Sequence, residues 1–205
     1  MSLRICILET DILRPELVDQ YQGYGHMFEQ LFAQQPVTAE FSVYNVVEGH
    51  YPPDSEKFDA YLVTGSKADS FGSDPWIQTL KAYLLERYKR GDKLLGICFG
   101  HQILAHALGG KVSRLPHNRE FGCQPVYLTP QGLAHPWLRD FPSGSSTLQS
   151  HQDHVATLPP GAQGLGSSST TEHQIFSLGN ALGVQFHPEY TPDTLRIIAR
   201  SRLKC

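Results

Sequence analysis

The sequence predicts an α/β protein: a mostly parallel, doubly wound sheet flanked by helices, with a partly antiparallel extension. Three observations lead there. Over the first 110 residues, short apolar runs alternate with segments of helical periodicity, which is how strand–helix–strand units read. From Val126 onward, Gly/Pro/Ser turns rather than helices separate the apolar runs, as between antiparallel strands. The 205 residues suit one domain, 1–205, large enough to bury a core without disulfide or metal staples.

Residues 3–8 (LRICIL), apolar except for Arg4, form the first buried strand. An irregular stretch comes next, and then Met27, Phe28, Leu31 and Phe32 mark one face of a helix. Residues 41–47 have strand composition, and residues 60–64 (AYLVT) form a short buried strand ending in the turn Thr64-Gly65-Ser66. Asp74-Pro75 starts a helix, an N-cap residue followed by proline at the first helical position. That helix turns Ile77, Leu80, Leu84 and Tyr88 inward and stops at Gly91. Residues 94–97 read as the end of a buried strand. Ile103, Leu104, Ala107 and Leu108 give the next helix its apolar face, closed by Gly109-Gly110. In the second half, residues 126–129, 147–149, 174–178 and 181–186 read as strands, the last two joined by a tight hairpin at 178–181. Residues 164–171 read as a loop or a strand edge, and a final helix from Pro192 carries Leu195, Ile198 and Ala199 on one side.

Composition narrows the function. A net charge of −3 and a pI near 6.3 advertise no nucleic-acid or polyanion partner. No apolar run approaches the roughly 18 residues of a membrane span. Cys6, Cys98, Cys123 and Cys205 are widely spaced with no C-x-x-C pair, which suits free thiols in a reducing, cytoplasmic setting. No phosphate-binding or dinucleotide glycine motif occurs, so no nucleotide cofactor is expected.

The chemistry centres on Cys98, at the junction between a strand and a helix. A residue on so sharp a turn is held in a strained backbone with its side chain presented. Gly96 and Gly100, two residues to either side, relieve the crowding. The next helix aims free N–H groups and its positive dipole end at the sulfur, favouring thiolate. Taken alone, a cysteine at the end of a buried strand is more often a small core residue than a nucleophile. A cysteine nucleophile needs a base and an orienting group, distant in sequence and adjacent in space. Of ten histidines, His187 is the best placed, just past the end of an apolar strand, where the sheets of α/β proteins bind ligands. Glu189, two residues on, suits the orienting role, although His-Pro by itself can also simply make a turn. His151, Asp153 and His154 lack further ligands at metal-site spacing, so no metal is expected, and His106 reads as packing or surface.

Three segments together resemble the class I glutamine amidotransferases. Gly96-Ile97-Cys98-Phe99-Gly100-His101-Gln102 resembles their G-x-C-x-G-x-Q nucleophile motif, His187-Pro188-Glu189 their H-P-E motif, and Thr64-Gly65-Ser66 lies where they carry an oxyanion loop. Ser150-His151-Gln152-Asp153 is similar to the family's S-H-x-D segment, which lies beside the bound glutamine. Thr64–Ser70 with Asp74-Pro75-Trp76 looks most like free-standing members, the GMP-synthase-like proteins and plant γ-glutamyl peptidases among them. Ser66 stands where many members have a second glycine, a small departure because only its backbone N–H is needed. Nothing resembles the synthetase domain that many members carry in the same chain.

The resemblance implies a flavodoxin-like fold and a Cys98-His187-Glu189 triad. It implies an oxyanion hole from Gly65, Ser66 and Phe99, and glutamine or a γ-glutamyl compound as the small-molecule substrate. Gln102, Ser150 and His151 are the candidates for holding that substrate. Three functions stay open: an amidotransferase subunit feeding ammonia to a synthetase partner in trans or to another acceptor, a stand-alone γ-glutamyl hydrolase or peptidase, and a regulatory module without turnover.

Overall fold

In the computed structural model, residues 2–116 and 119–202 are described; Met1 and Cys205, both within the expected domain, lie outside them. The strands are β1 (Leu3–Glu9), β2 (Ala39–Asn45), β3 (Ala60–Val63), β4 (Leu94–Ile97), β5 (Lys111–Arg114), β6 (Glu120–Leu128), β7 (Ser145–His151), β8 (Asp153–Thr157), β9 (Gln163–Ser167), β10 (Ile175–Leu178) and β11 (Ala181–Val184). The helices are α1 (Pro15–Tyr21), α2 (Tyr24–Ala33), α3 (Pro75–Arg90), α4 (Phe99–Ala107), α5 (Pro130–Ala134) and α6 (Pro192–Arg202).

Nine strands form one sheet in the order β2-β1-β3-β4-β11-β10-β9-β6-β7. From β2 to β11 the neighbours are parallel, the 2-1-3-4-5 order of a flavodoxin-like sheet with β11 as its fifth strand. From β11 to β7 every pairing is antiparallel, so the extension adds four strands to the five parallel ones. β5 and β8 pair separately as a small second sheet.

Strand alternation explains the core. Ile5 and Ile7 of β1 join Phe28 and Leu62 in one buried layer, while Cys6 and Leu8 join Tyr61, Val63, Leu80 and Leu84 in the other. Both faces of the parallel half are therefore covered, which is why its strands read as unbroken apolar runs. Leu80 and Leu84 of α3 are fully buried, each worth about 1.5–3 kcal/mol relative to exposure.

Several local expectations shift. The stretch read as irregular contains α1, which Pro15 opens and whose Leu17 and Tyr21 pack on Tyr24, Met27 and Ile198. The second strand starts earlier than expected and gives way at Val46–Glu48 to a 3-10 turn, because the Asn45 side chain accepts from the N–H groups of Val47 and Glu48. Of the stretch 164–171, read as a loop or a strand edge, residues 164–167 belong to β9, where Gly166 lets Ile175 of β10 approach closely. Asp74 occupies the N-cap of α3 without a side-chain cap bond, leaving Pro75 to set the start. At its other end Gly91 takes a left-handed φ of 85°, which glycine adopts at little cost.

Candidate active site

The parallel strands end side by side, and the turns leaving their carboxyl ends build the site. Val63 of β3 lies opposite Gly96, and Val184 of β11 opposite Ile97, so Thr64-Gly65, Cys98 and His187 emerge on the same sheet edge. Ligands bind at such carboxyl ends because helix N-termini and loops converge there.

Cys98 has φ 52° and ψ −102°, one of two non-glycine residues with positive φ among those described. That conformation costs on the order of 1–3 kcal/mol and persists only where the surroundings over-determine it. Here they do. The Cys98 N–H donates to the Val184 carbonyl at 2.9 Å, and its carbonyl accepts the first bond of α4 from Gln102 N–H at 3.1 Å. Gly96 lies against the Gly100 backbone and Gly100 against the Val63 carbonyl, so a Cβ at either position would overlap main-chain atoms. The expected elbow is present.

His187, buried, bonds the Glu189 carboxylate through Nδ1 at 2.7 Å, which leaves Nε2 for its other partner, the Cys98 sulfur. Burial works against a charged ring, but Glu189 and the Cys98 sulfur outweigh it and raise His187 to about 10 from an ordinary 6.5. Gly65 packs against the imidazole so tightly that a Cβ there would sit 2.8 Å from His187 Cε1. Tyr190 stacks on the ring at 4.0 Å with an interplanar angle of 4°.

Among the described residues, the backbone N–H groups of Gly65, Ser66 and Phe99 donate to no protein acceptor. All three flank Cys98. The loop that carries Gly65 and Ser66 is tied from both sides. Asp11 accepts from the Lys67 N–H at 3.1 Å and pairs with its ammonium at 3.0 Å. Arg114 bridges Asp69 at 3.1 Å and Asp153 at 3.2 Å. Burial and the Asp69 carboxyl push Asp153 up to about 7 against the pull of Arg114.

A cavity of about 400 Å³ opens on Cys98, walled by Ser66, Gln102, Arg119, Ser150, His151 and Asp153 among others. The three candidate substrate-holding residues thus reach it, and the partners of Gln102 and His151 lie within the protein. Gln102 donates its amide to the Asp153 carbonyl at 2.8 Å and to Gln185 Oε1 at 3.1 Å. His151 donates from Nδ1 to the Asp153 carbonyl at 2.9 Å and from Nε2 to Glu120 at 3.0 Å. Ser150 borders this cavity and a smaller one, of about 50 Å³, beside His187 and Tyr190.

Sequence reasoning missed Glu120. It faces His151 directly across the β6–β7 pairing, and extending that register back from Val126 would have found it. Burial alone would raise its carboxyl. His151, Thr171 and Gln174 donating to one oxygen, with Ser168 donating to the other, instead hold it at about 2, against an ordinary 4.5. A depressed carboxyl contributes stability that is complete above about pH 4.5 and is lost as pH falls toward 2. The gap corresponds to about 3 kcal/mol. Glu120→Gln is expected to lose stability of that order near neutral pH, with the deficit shrinking under acid; urea melts across that range test it, and a constant deficit contradicts the assignment.

Three other histidines make contacts away from Cys98. Burial lowers His101 to about 3 and leaves a neutral ring packed on Phe176. His106 is half-buried against the Ser70 carbonyl, and His154 bonds Ser113. Among the described residues no group of three His, Cys, Asp or Glu side chains is arranged to hold a metal, and no helix is long and apolar enough to cross a membrane.

A cysteine at a strand-to-helix elbow, faced by a buried His–Glu pair and a tied glycine loop, is the arrangement that acyl transfer through a thioester calls for. The model of the family described as glutamine amidotransferase class-I matches residues 16–201, and the chain belongs to that family. Gamma-glutamyl peptidase 5 of Arabidopsis thaliana is 32% identical over 180 residues, 85% of this chain and 71% of that protein. The glutamine-hydrolyzing GMP synthase of Roseobacter denitrificans is 30% identical over 185 residues, which are 85% of this chain and 34% of that longer one. The crystal structure of a glutamine amidotransferase from Thermotoga maritima shares the fold, with a TM-score of 0.81 at 23% identity, covering 100% of this chain and 84% of that one.

Proposed function

We propose that this chain is a glutamine amidotransferase that hydrolyses the side-chain amide of glutamine through a thioester on Cys98. The observation that carries the reading is the single cluster of strained Cys98, the His187–Glu189 pair and the N–H groups of Gly65, Ser66 and Phe99. Cys98 sulfur attacks the amide carbon, and the oxyanion that forms is met by those N–H groups. Each such donor is worth about 3–4 kcal/mol in a transition state. His187 passes its proton to the amine, the C–N bond breaks and ammonia leaves. Water, deprotonated by His187, then attacks the thioester and releases glutamate with the thiol restored. Glu189 fixes the imidazole tautomer and offsets its charge. A free nucleophilic thiol suits a reducing compartment such as the cytoplasm, and the continuous nine-stranded sheet supports one domain.

The ammonia acceptor, on this reading, is a synthetase in trans or a small molecule. One observation favours the second reading, a stand-alone γ-glutamyl peptidase. The oxyanion loop is tied within the chain itself, by Asp11 on one side and Arg114 on the other, so no docked partner is needed to form it. Purified protein assayed for glutamate release from L-glutamine and from γ-glutamyl dipeptides, with and without cell extract, separates the two. Glutamate release from glutamine supports the first. Brisk peptide cleavage with glutamine a poor substrate, unstimulated by extract, moves the assignment to the second. No glutamate from any substrate overturns both and leaves a module without turnover.

A further inference from the structure

The residue immediately after β1 is Thr10, buried at 1% exposure and 55 positions from the peptide it touches. Its hydroxyl lies 2.9 Å from the Gly65 carbonyl oxygen and 3.0 Å from that of Thr64, so its one hydrogen is shared between two consecutive peptides. Its own N–H donates to Thr64 Oγ1 at 3.1 Å, the two hydroxyl oxygens lie 3.1 Å apart, and Thr64 Oγ1 is within donating distance of the same Gly65 carbonyl at 3.3 Å. None of the described peptide bonds is cis. In a trans peptide the C=O and N–H point in opposite directions. Holding the Gly65 carbonyl toward Thr10 therefore turns the Ser66 N–H away from it, toward the cavity that Ser66 shares with Cys98.

That orientation needs a cause. Gly65 must be glycine because His187 fills the space a Cβ would take. A glycine makes the Gly65–Ser66 peptide free to rotate, and the rotated form would turn a carbonyl oxygen toward the developing oxyanion. Rotation would also take from the Thr10 and Thr64 hydroxyls, both buried, the Gly65 acceptor they now share. We propose that Thr10 is a positioning residue of the reaction, its hydroxyl holding the Gly65–Ser66 peptide with the Ser66 N–H directed at the Cys98 site. The proposal rests on the acyl-transfer reading of that site.

Thr10→Val deletes the hydroxyl and nearly keeps the shape. Its kcat for L-glutamine and for a γ-glutamyl anilide is expected to fall by about 10- to 100-fold, with KM moving by less than about threefold, because the lost interaction exists only in the transition state. Alkylation of Cys98 by iodoacetamide should keep its wild-type rate, which a collapsed site would not. Thr10→Ser, which retains the donor, should recover most of kcat. If Thr10→Val does not fold, Thr10→Ala against Thr10→Ser carries the same comparison. Wild-type kcat in Thr10→Val, equal losses in the serine and valine variants, or alkylation falling in step with kcat overturns the role of Thr10. Wild-type turnover in Cys98→Ala instead overturns the reading beneath it, so the two failures are distinguishable.

Discussion

Cys98→Ala is expected to abolish turnover, a loss of at least about 10⁴-fold, while leaving the fold almost unchanged. The change removes one sulfur atom, and alanine inherits the same φ of 52°, so backbone strain is neither added nor relieved. His187 keeps its bond to Glu189, and the elbow keeps its two main-chain bonds to Val184 and Gln102. Melting should therefore shift by no more than about 1 kcal/mol in stability. Controls lie in the same chain. Cys6 is buried with no exposure, and burial pushes its thiol up to about 12, so it stays protonated and unreactive. Cys123 is exposed and forms no disulfide. Alanine at either should spare activity, and a thiol-directed glutamine analogue should label Cys98 first. Wild-type glutamate release from Cys98→Ala would remove the mechanism altogether.

Gly100→Val is expected to cost stability and activity together. A Cβ on Gly100 meets the Val63 carbonyl, a main-chain atom in the middle of the sheet, rather than the movable end of a side chain. Overpacking of this kind costs typically about 1–3 kcal/mol, and with rigid backbone on one side the upper end applies. For a chain of this size about 3 kcal/mol lowers the melting temperature by roughly 6–12 °C. Activity falls by another route. The Gly100 N–H donates to the Thr64 carbonyl at 3.2 Å, which joins the elbow to the strand end carrying Gly65. Pushing α4 away from β3 moves Cys98 relative to the oxyanion loop, and a displacement of about 1 Å can cost about 100-fold in rate. Calorimetry and steady-state kinetics on the folded variant measure the two effects separately. An unchanged melt with unchanged turnover would mean that α4 does not approach β3 as closely as the glycines require.

These two residues were legible in the sequence because their signal is local. An apolar run, a glycine, a cysteine, a second glycine and a helical period lie within a few positions of one another, and each constrains its neighbours within a turn. The same holds for α3, whose proline start and glycine stop bracket a clear 3.6-residue period. It fails for α1, where seven residues give too short a period to stand out, and for β9, whose glycines hide a strand that pairs on both sides. The site splits in the same way. Cys98, His187 and Glu189 lie in motifs of adjacent residues. Glu120, Thr10, Arg114 and Tyr190 each act by touching a residue whose significance is visible only after folding, and sequence reading passed over all four.

By itself, the sequence determined the class of fold, the order of most of its elements, a candidate nucleophile and the residues proposed to serve it. All of these depend on steric and hydrogen-bonding preferences that act between near neighbours in the chain. Tertiary structure decided the rest. It inserted β11 beside β4, so that His187 meets Cys98 across the sheet edge. It set Glu120 opposite His151, giving a ring that lines the cavity a buried carboxylate partner. It laid the Thr10 hydroxyl on the Gly65 carbonyl, fixing which way one peptide faces. The physical reason is common to all three: these contacts join residues from 31 to 89 positions apart, and nothing in either partner's immediate sequence specifies the other.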